Sequence, residues 1–235
     1  MVVRSLLVVL ASVLAASPAL AEMSFRLGLA SNQSDTFSTT FTDGGASGRI
    51  PGVKMETGTQ LSLAAGRAFD SWRLELELFR QFDTATEGGE VLVAPGNGSV
   101  DVDLYGTLQA TGLMVNGYLD LATNPEARLR PWLSAGVGLA RLEMRGVTMI
   151  DGGGGTLTME PGEVTELAWR AGLGLAWHLT SGAVVDLGLL RYDYGTAESS
   201  KSGFSTGIPG PVSADEPLTY GVSGLSWSLS LRRPF

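Results

Sequence analysis

Apolar and polar side chains alternate with period two in eight stretches of this chain. The alternation is strictest in Trp72–Phe82, where Trp72, Leu74, Leu76 and Leu78 occupy one parity and Arg73, Glu75 and Glu77 the other. Successive side chains of a strand point to opposite faces, so this stretch predicts a strand with one greasy and one charged face. The same pattern predicts strands over Met23–Ala30, about Gly58–Phe69, about Asp103–Leu121, about Arg130–Leu142, about Leu167–Leu179, about Val184–Tyr192 and Thr219–Phe235. Within Val184–Tyr192 the parity slips at Leu190, which predicts a β-bulge there. Long polar segments (Ser31–Thr57, Asp83–Val100, Glu143–Val164, Asp193–Pro217) alternate with short turns at Asp70-Ser71, Thr123–Glu126 and Ser181-Gly182.

The composition of the two faces decides the fold class. One parity is Leu, Val, Trp and Ala; the other is Gly and Ser together with Arg26, Arg73, Glu75, Glu77, Arg170 and Asp186. A soluble barrel or sandwich would turn its apolar parity inward and its polar parity to water. Here the polar parity carries opposite charges spaced two apart, suited to buried ion pairs, and the other parity is leucine-rich, suited to lipid. Only a closed sheet crosses a bilayer without leaving backbone groups unpaired in hydrocarbon. The chain therefore reads as all-β: a transmembrane antiparallel up-and-down β-barrel of eight strands, with four long external loops and three short periplasmic turns. Trp169 and Trp177 share the apolar face, roughly 27 Å apart along a strand and roughly 20 Å apart after a tilt of about 45°. That spacing suits an aromatic at each edge of an apolar band, so Trp72, Trp169, Trp177 and Trp227 are expected at the lipid interfaces.

The first residues change the picture only by subtraction. Arg4, the apolar run Leu6–Leu14, Pro18 and Ala19-Leu20-Ala21 predict a signal peptide over 1–21, leaving the barrel domain over 22–235. There is no cysteine, so passage through an oxidising compartment leaves no disulfide. The net charge of −8 argues against nucleic acid as a partner.

Leu74–Arg80, Leu113–Leu121, Pro131–Gly138 and Ala168–Gly174 resemble the outer-membrane β-barrel family of small surface proteins, the opacity-type proteins and surface antigens of the porin family. The resemblance runs over essentially all of 22–235 except the loops, and it implies a bacterial outer-membrane location. It further implies that Phe235 is the aromatic read by the outer-membrane assembly machinery. Leu189-Leu190-Arg191-Tyr192 departs from the Tyr-Arg-Tyr type ending expected there. The family implies no single activity, since its members are pores, adhesins or have no known role.

Candidate chemistry is sparse. His178 is the single histidine, and with Thr180 it faintly resembles a His-x-Ser arrangement. Parity turns it inward beside a short turn, the opposite placement from a lipid-modifying site in the outer leaflet, so a structural role is favoured. Gly136-x-Gly138 and Gly172-x-Gly174 lack a third glycine and a following helix, so they read as room for large neighbours in a narrow barrel rather than a nucleotide site. Asn97-Gly98-Ser99 reads as a turn. No cofactor or metal site is implied. An eight-stranded barrel is just wide enough for side chains to fill it, and mixed charges pair rather than select. The interior charges thus favour a plug over a narrow solute channel. The expected role is structural or adhesive, through the long loops, by a monomer in contact with outer-membrane lipid and a host or surface ligand. A solute channel and, more distantly, a lipid-modifying enzyme are the alternatives.

Overall fold

The computed structural model describes residues 22–43, 46–84, 86–87, 89–93, 99–122, 124, 126–151, 155–206, 211–213 and 215–235. Residues 1–21, where a signal peptide is expected, the Asn97-Gly98 pair of the expected turn and residues 152–154 lie outside the described residues. Eight long strands form the barrel wall: β1 (Glu22–Ser34), β2 (Gly58–Phe69), β3 (Trp72–Thr84), β4 (Ser99–Asp120), β5 (Leu129–Asp151), β6 (Gly162–His178), β7 (Val184–Glu198) and β8 (Thr219–Pro234). Each pairs antiparallel with its sequence neighbour, from β1–β2 through β7–β8. The pairing of β1 with β8, Ser24 opposite Pro234 through Ser34 opposite Gly224, closes the wall. Closure removes the unpaired edge that an open sheet would leave in hydrocarbon.

Three short connections share one end with Glu22 and Phe235, called here the turn end. Asp70 takes the left-handed conformation (φ 34°) in the two-residue β2–β3 hairpin, a conformation that Asp tolerates better than most residues. Between β4 and β5, Asn124 Oδ1 accepts from the Glu126 amide at 2.9 Å. The β6–β7 turn is closed by Gly182 N donating to Leu179 O at 3.0 Å, with Gly182 at φ 81°.

The opposite, loop end departs from the sequence reading. The segments expected as loops carry strands of their own. Phe37–Asp43 pairs with Ala46–Met55, and Gly89–Val93 joins that hairpin to β4. Thr156–Met159 extends β5 toward Ser202–Ser205, which pairs in turn with Pro211–Ser213. β5 runs on from Leu142 to Asp151 and β7 from Tyr192 to Glu198, past their expected ends. The wall therefore stands well above the last outward leucine.

The bulge is also displaced. The register of β7 against β8 is continuous through Leu190 and shifts between Asp193 and Thr196, where Gly195 supplies a φ of 91°. Leu190 keeps its parity and points inward, 8% exposed, and Arg191 points outward. What looked like a slip is a change in what the interior contains.

Candidate functional site

The barrel has two interiors, stacked along its axis. At the turn end the lining is mostly polar, around a small apolar cluster of Tyr118, Trp132, Ala176, Val184 and Leu190. Glu77 on β3, fully buried, accepts from Arg170 Nη1 at 2.9 Å through Oε1. Its Oε2 accepts from Asn116 Nδ2 at 3.1 Å and from Arg26 Nη2 at 2.5 Å, and also pairs with Arg170 Nη2. Glu75, one inward position below, accepts from Arg26 Nε at 2.7 Å, and Arg73 Nε lies 2.8 Å from its other oxygen. The Arg73 guanidinium stacks on Tyr118, 3.9 Å from the ring centre. Nearer the turns, Arg232 Nε donates to Asp186 at 3.2 Å. Inward glycines make the room: a Cβ on Gly66 would meet Glu75 Cγ at 2.6 Å, and Cβ atoms on Gly174 and Gly188 would meet the Trp132 ring at 2.2 and 2.8 Å.

Toward the loop end the same inward parity turns apolar. Phe79, Leu108, Ala110, Met114, Leu142, Met144, Tyr192, Tyr194 and Val222 form one buried cluster across the lumen. Phe79 stacks on Tyr194 with ring centres 4.7 Å apart, and Tyr194 OH donates to Gln60 Oε1 at 2.9 Å. This layer caps the charged one.

The outer face changes in the opposite sense. Its turn-end half is apolar: Leu27, Leu63, Val137, Leu173 and Leu187 are all more than half exposed. Moving toward the loops, outward apolar side chains give way to Ser31, Thr59, Arg80, Thr111, Arg141, Thr165, Arg191 and Ser223. Arg141 pairs with Glu163, Arg145 with Glu143, and Arg191 with Asp35. Asp35 also accepts from Ser223 Oγ at 2.7 Å, and its bonds to Arg191 and Ser223 hold its carboxyl below its ordinary value. An apolar belt of this extent around a closed wall is a lipid-facing surface.

No family model matches the chain. It is 29% identical over 133 residues to outer membrane protein PagN of Salmonella typhimurium, a match covering 57% of this chain and 54% of the relative. The chain thus spans about half the length of that curated relative. The crystal structure of the outer membrane protein OprG from Pseudomonas aeruginosa has TM-score 0.56 at 15% identity, covering 92% of this chain and 96% of that one. The outer membrane protease OmpT from Escherichia coli has TM-score 0.53 at 11% identity, covering 93% and 98%. This chain is an outer-membrane β-barrel.

Within the barrel, Arg26, Arg73, Glu75, Glu77, Arg170 and Asp186 are all buried on the lumen side. The first three and Glu77 share one cluster with Arg170, whereas Asp186 sits apart with Arg232. Trp72, Trp169, Trp177 and Trp227 face outward, 41 to 65% exposed. Phe235 lies at the turn end, its amide donating to Met23 O at 2.9 Å and its ring 5.3 Å from that of Phe25. Asn116, Tyr118, Trp132 and Arg232 are the interior partners that sequence reasoning did not single out. Their inward parity was readable, but which strands they meet depends on cross-strand register.

His178 ends β6 at the turn end, half-buried, its amide donating to Arg128 O at 2.7 Å. Its Nε2 is buried without a hydrogen-bond partner among the described residues. Among the described residues no group of three or more His, Cys, Asp and Glu could hold a metal ion.

Proposed function

We propose that this outer-membrane barrel is a closed, non-catalytic mount that holds a β-structured head above the membrane for contact with a ligand or cell surface. The observation that carries this reading is the double seal of the lumen. Buried ion pairs fill the turn-end half, the apolar cluster fills the loop-end half, and the cavity left in the charged layer is only about 20 Å³, near the size of a single water. Such a lumen transmits no solute. The outward parts are the elaborated ones: hairpin Phe37–Asp43/Ala46–Met55 and strands Ser202–Ser205 and Pro211–Ser213 project beyond the last lipid-facing residues. The same architecture carries a protease in OmpT, so the case against catalysis rests on this chain's own residues. Its single histidine sits at the end opposite the elaborated head, its buried Nε2 without a hydrogen-bond partner among the described residues. Complete closure of the wall leaves no free edge in the bilayer for a second copy, which supports a monomer.

Conductance of the folded barrel in planar bilayers tests the seal. A silent bilayer is expected, and steady unitary steps that change in Glu77→Gln would establish the narrow channel instead. Cell-binding assays with the 37–55 hairpin replaced by a short turn test the head. Binding should fall while barrel folding is retained, and undiminished binding would contradict the role given to that hairpin.

A further inference from the structure

The charge layer does not balance. Among the described residues the buried charged side chains are Arg26, Arg73, Arg170 and Arg232 against Glu75, Glu77 and Asp186, four positive and three negative. An arginine stays protonated even when buried, so the excess cannot be removed by losing a proton. A lone charge in a dry interior is strongly disfavoured unless something of opposite sign sits beside it.

The same layer contains a space and unsatisfied donors. A cavity of about 20 Å³ is bounded by Arg73, Trp132, Tyr118 and the side chains of Ser62, Ser228 and Ser230. Arg73 Nη2 and Trp132 Nε1 are both buried and have no hydrogen-bond partner. The carboxylate in the cavity wall is Glu77, and both of its oxygens are taken, by Arg170 on one side and by Arg26, Arg170 and Asn116 on the other. The cavity therefore offers two unpartnered N–H donors and several hydroxyls that can turn their hydrogens inward, while its one carboxylate is already engaged. A water there could accept from the two orphan donors and donate to a serine oxygen, but the excess charge would stand. A spherical anion accepts on every side and cancels the excess.

We propose that this cavity holds one small monovalent anion of chloride size, bound by Arg73 Nη2, Trp132 Nε1 and the serine hydroxyls. Trp132 is positioned for this by its glycine bed: the ring lies over Gly174 and Gly188, where any Cβ would clash. Tyr118 holds the other donor in place, with Arg73 stacked 3.9 Å from its ring and Trp132 edge-on to it at 5.4 Å. The anion enters as the barrel closes and is retained by the seal proposed above, so retention rests on that reading.

The test is to fold the full chain from denaturant into detergent in bromide in place of chloride and to crystallise it. An anomalous bromide peak within hydrogen-bonding distance of both Arg73 Nη2 and Trp132 Nε1 is expected. Water-like density, or bromide on the outer surface only, overturns the proposal. In parallel, thermal unfolding is followed in bromide and in gluconate, an anion too bulky for the cavity. The wild type should unfold at higher temperature in bromide. Trp132→Phe keeps the ring but removes the N–H, and should weaken the halide dependence about tenfold, as the loss of one charge-assisted hydrogen bond. Arg73→Gln, which removes the excess charge, should abolish it; if this variant does not fold, the peak and the Trp132→Phe series decide alone. Equal stability of the wild type in both salts overturns the site. Conductance separates the two claims: a silent bilayer without a bromide peak removes the anion and leaves the closed barrel intact, whereas unitary steps remove the seal.

Discussion

The turn-end and loop-end halves of this barrel are built on the same strands with the same parity, yet they are chemical inversions of each other. On β3, Glu77 points into the charged layer and Leu78 to lipid; one position further, Phe79 joins the apolar plug and Arg80 points outward. On β4 the inward series runs Tyr118, Asn116, Met114, Ala110 and Leu108, from polar to greasy in five side chains. On β5 the outward series turns from Val137 and Leu139 to Arg141 and Glu143. The backbone ladder passes through the change without interruption. Strand geometry is thus indifferent to polarity; the surroundings decide which parity must be apolar. Lipid supplies that demand below the boundary, and above it water restores the ordinary arrangement with a hydrophobic centre.

The sharpest way to break this comparison is to remove the hub of the charged layer. Glu77→Ala leaves Arg26 and Arg170 without their shared carboxylate and should cost about 4 kcal/mol in denaturant titrations of the folded barrel. An effect below about 1 kcal/mol would mean that water already solvates those arginines. Phe79→Ala should cost about 3 kcal/mol, since it opens a hole in a packed cluster. Its sequence neighbour Leu78, 54% exposed, should cost less on truncation, about 1.5 kcal/mol, because acyl chains fill the gap and only the transfer from water to lipid is lost. Equal costs at the two positions would contradict the inversion. Leu187→Arg, in the outward apolar belt, should destabilise by about 2 to 3 kcal/mol, whereas Thr165→Arg, just above it, should stay within about 0.5 kcal/mol. Smallest is the surface pair Asp35–Arg191. Because the folded-state carboxyl titrates below its ordinary value, the pair adds stability at neutral pH and loses it as pH falls through that lowered value. Both partners are over two-fifths exposed, so solvent screening holds the gain under about 1 kcal/mol. Asp35→Asn should flatten that part of the acid limb and leave the rest of the curve in place.

The inversion also explains what could be read from the sequence. Below the boundary the outward leucines mark strand, face and parity together, and β2, predicted over about Gly58–Phe69, has those same limits in the structure. Above it the apolar signal moves to the other parity and thins out, so the pattern alone ends β5 at Leu142 and slips in β7 at Leu190. Leu190, Tyr192 and Tyr194 were the visible trace of that change: three large side chains on what had been the polar parity. The interior charges were legible because an arginine or glutamate among small inward residues stands out. Their pairing was not, since it depends on how Arg26 of β1 and Arg170 of β6 are set against Glu77 of β3 across the lumen. The short outer strands were hidden because Ser-, Thr- and Gly-rich segments pair in water without an apolar stripe to announce them.

The chain contains no cysteine, which makes site-specific labelling clean. The most direct measurement is therefore a single-cysteine spin-label scan along the outward face of β6 in lipid vesicles, reading collision with oxygen and with a water-soluble nickel complex. Labels at Leu175, Leu173 and Leu167 should favour oxygen, with the preference reversing to nickel at Thr165 and Glu163. Nickel access at the leucine positions, or oxygen preference continuing through Glu163, would show that the polarity change on the wall is not where the membrane ends.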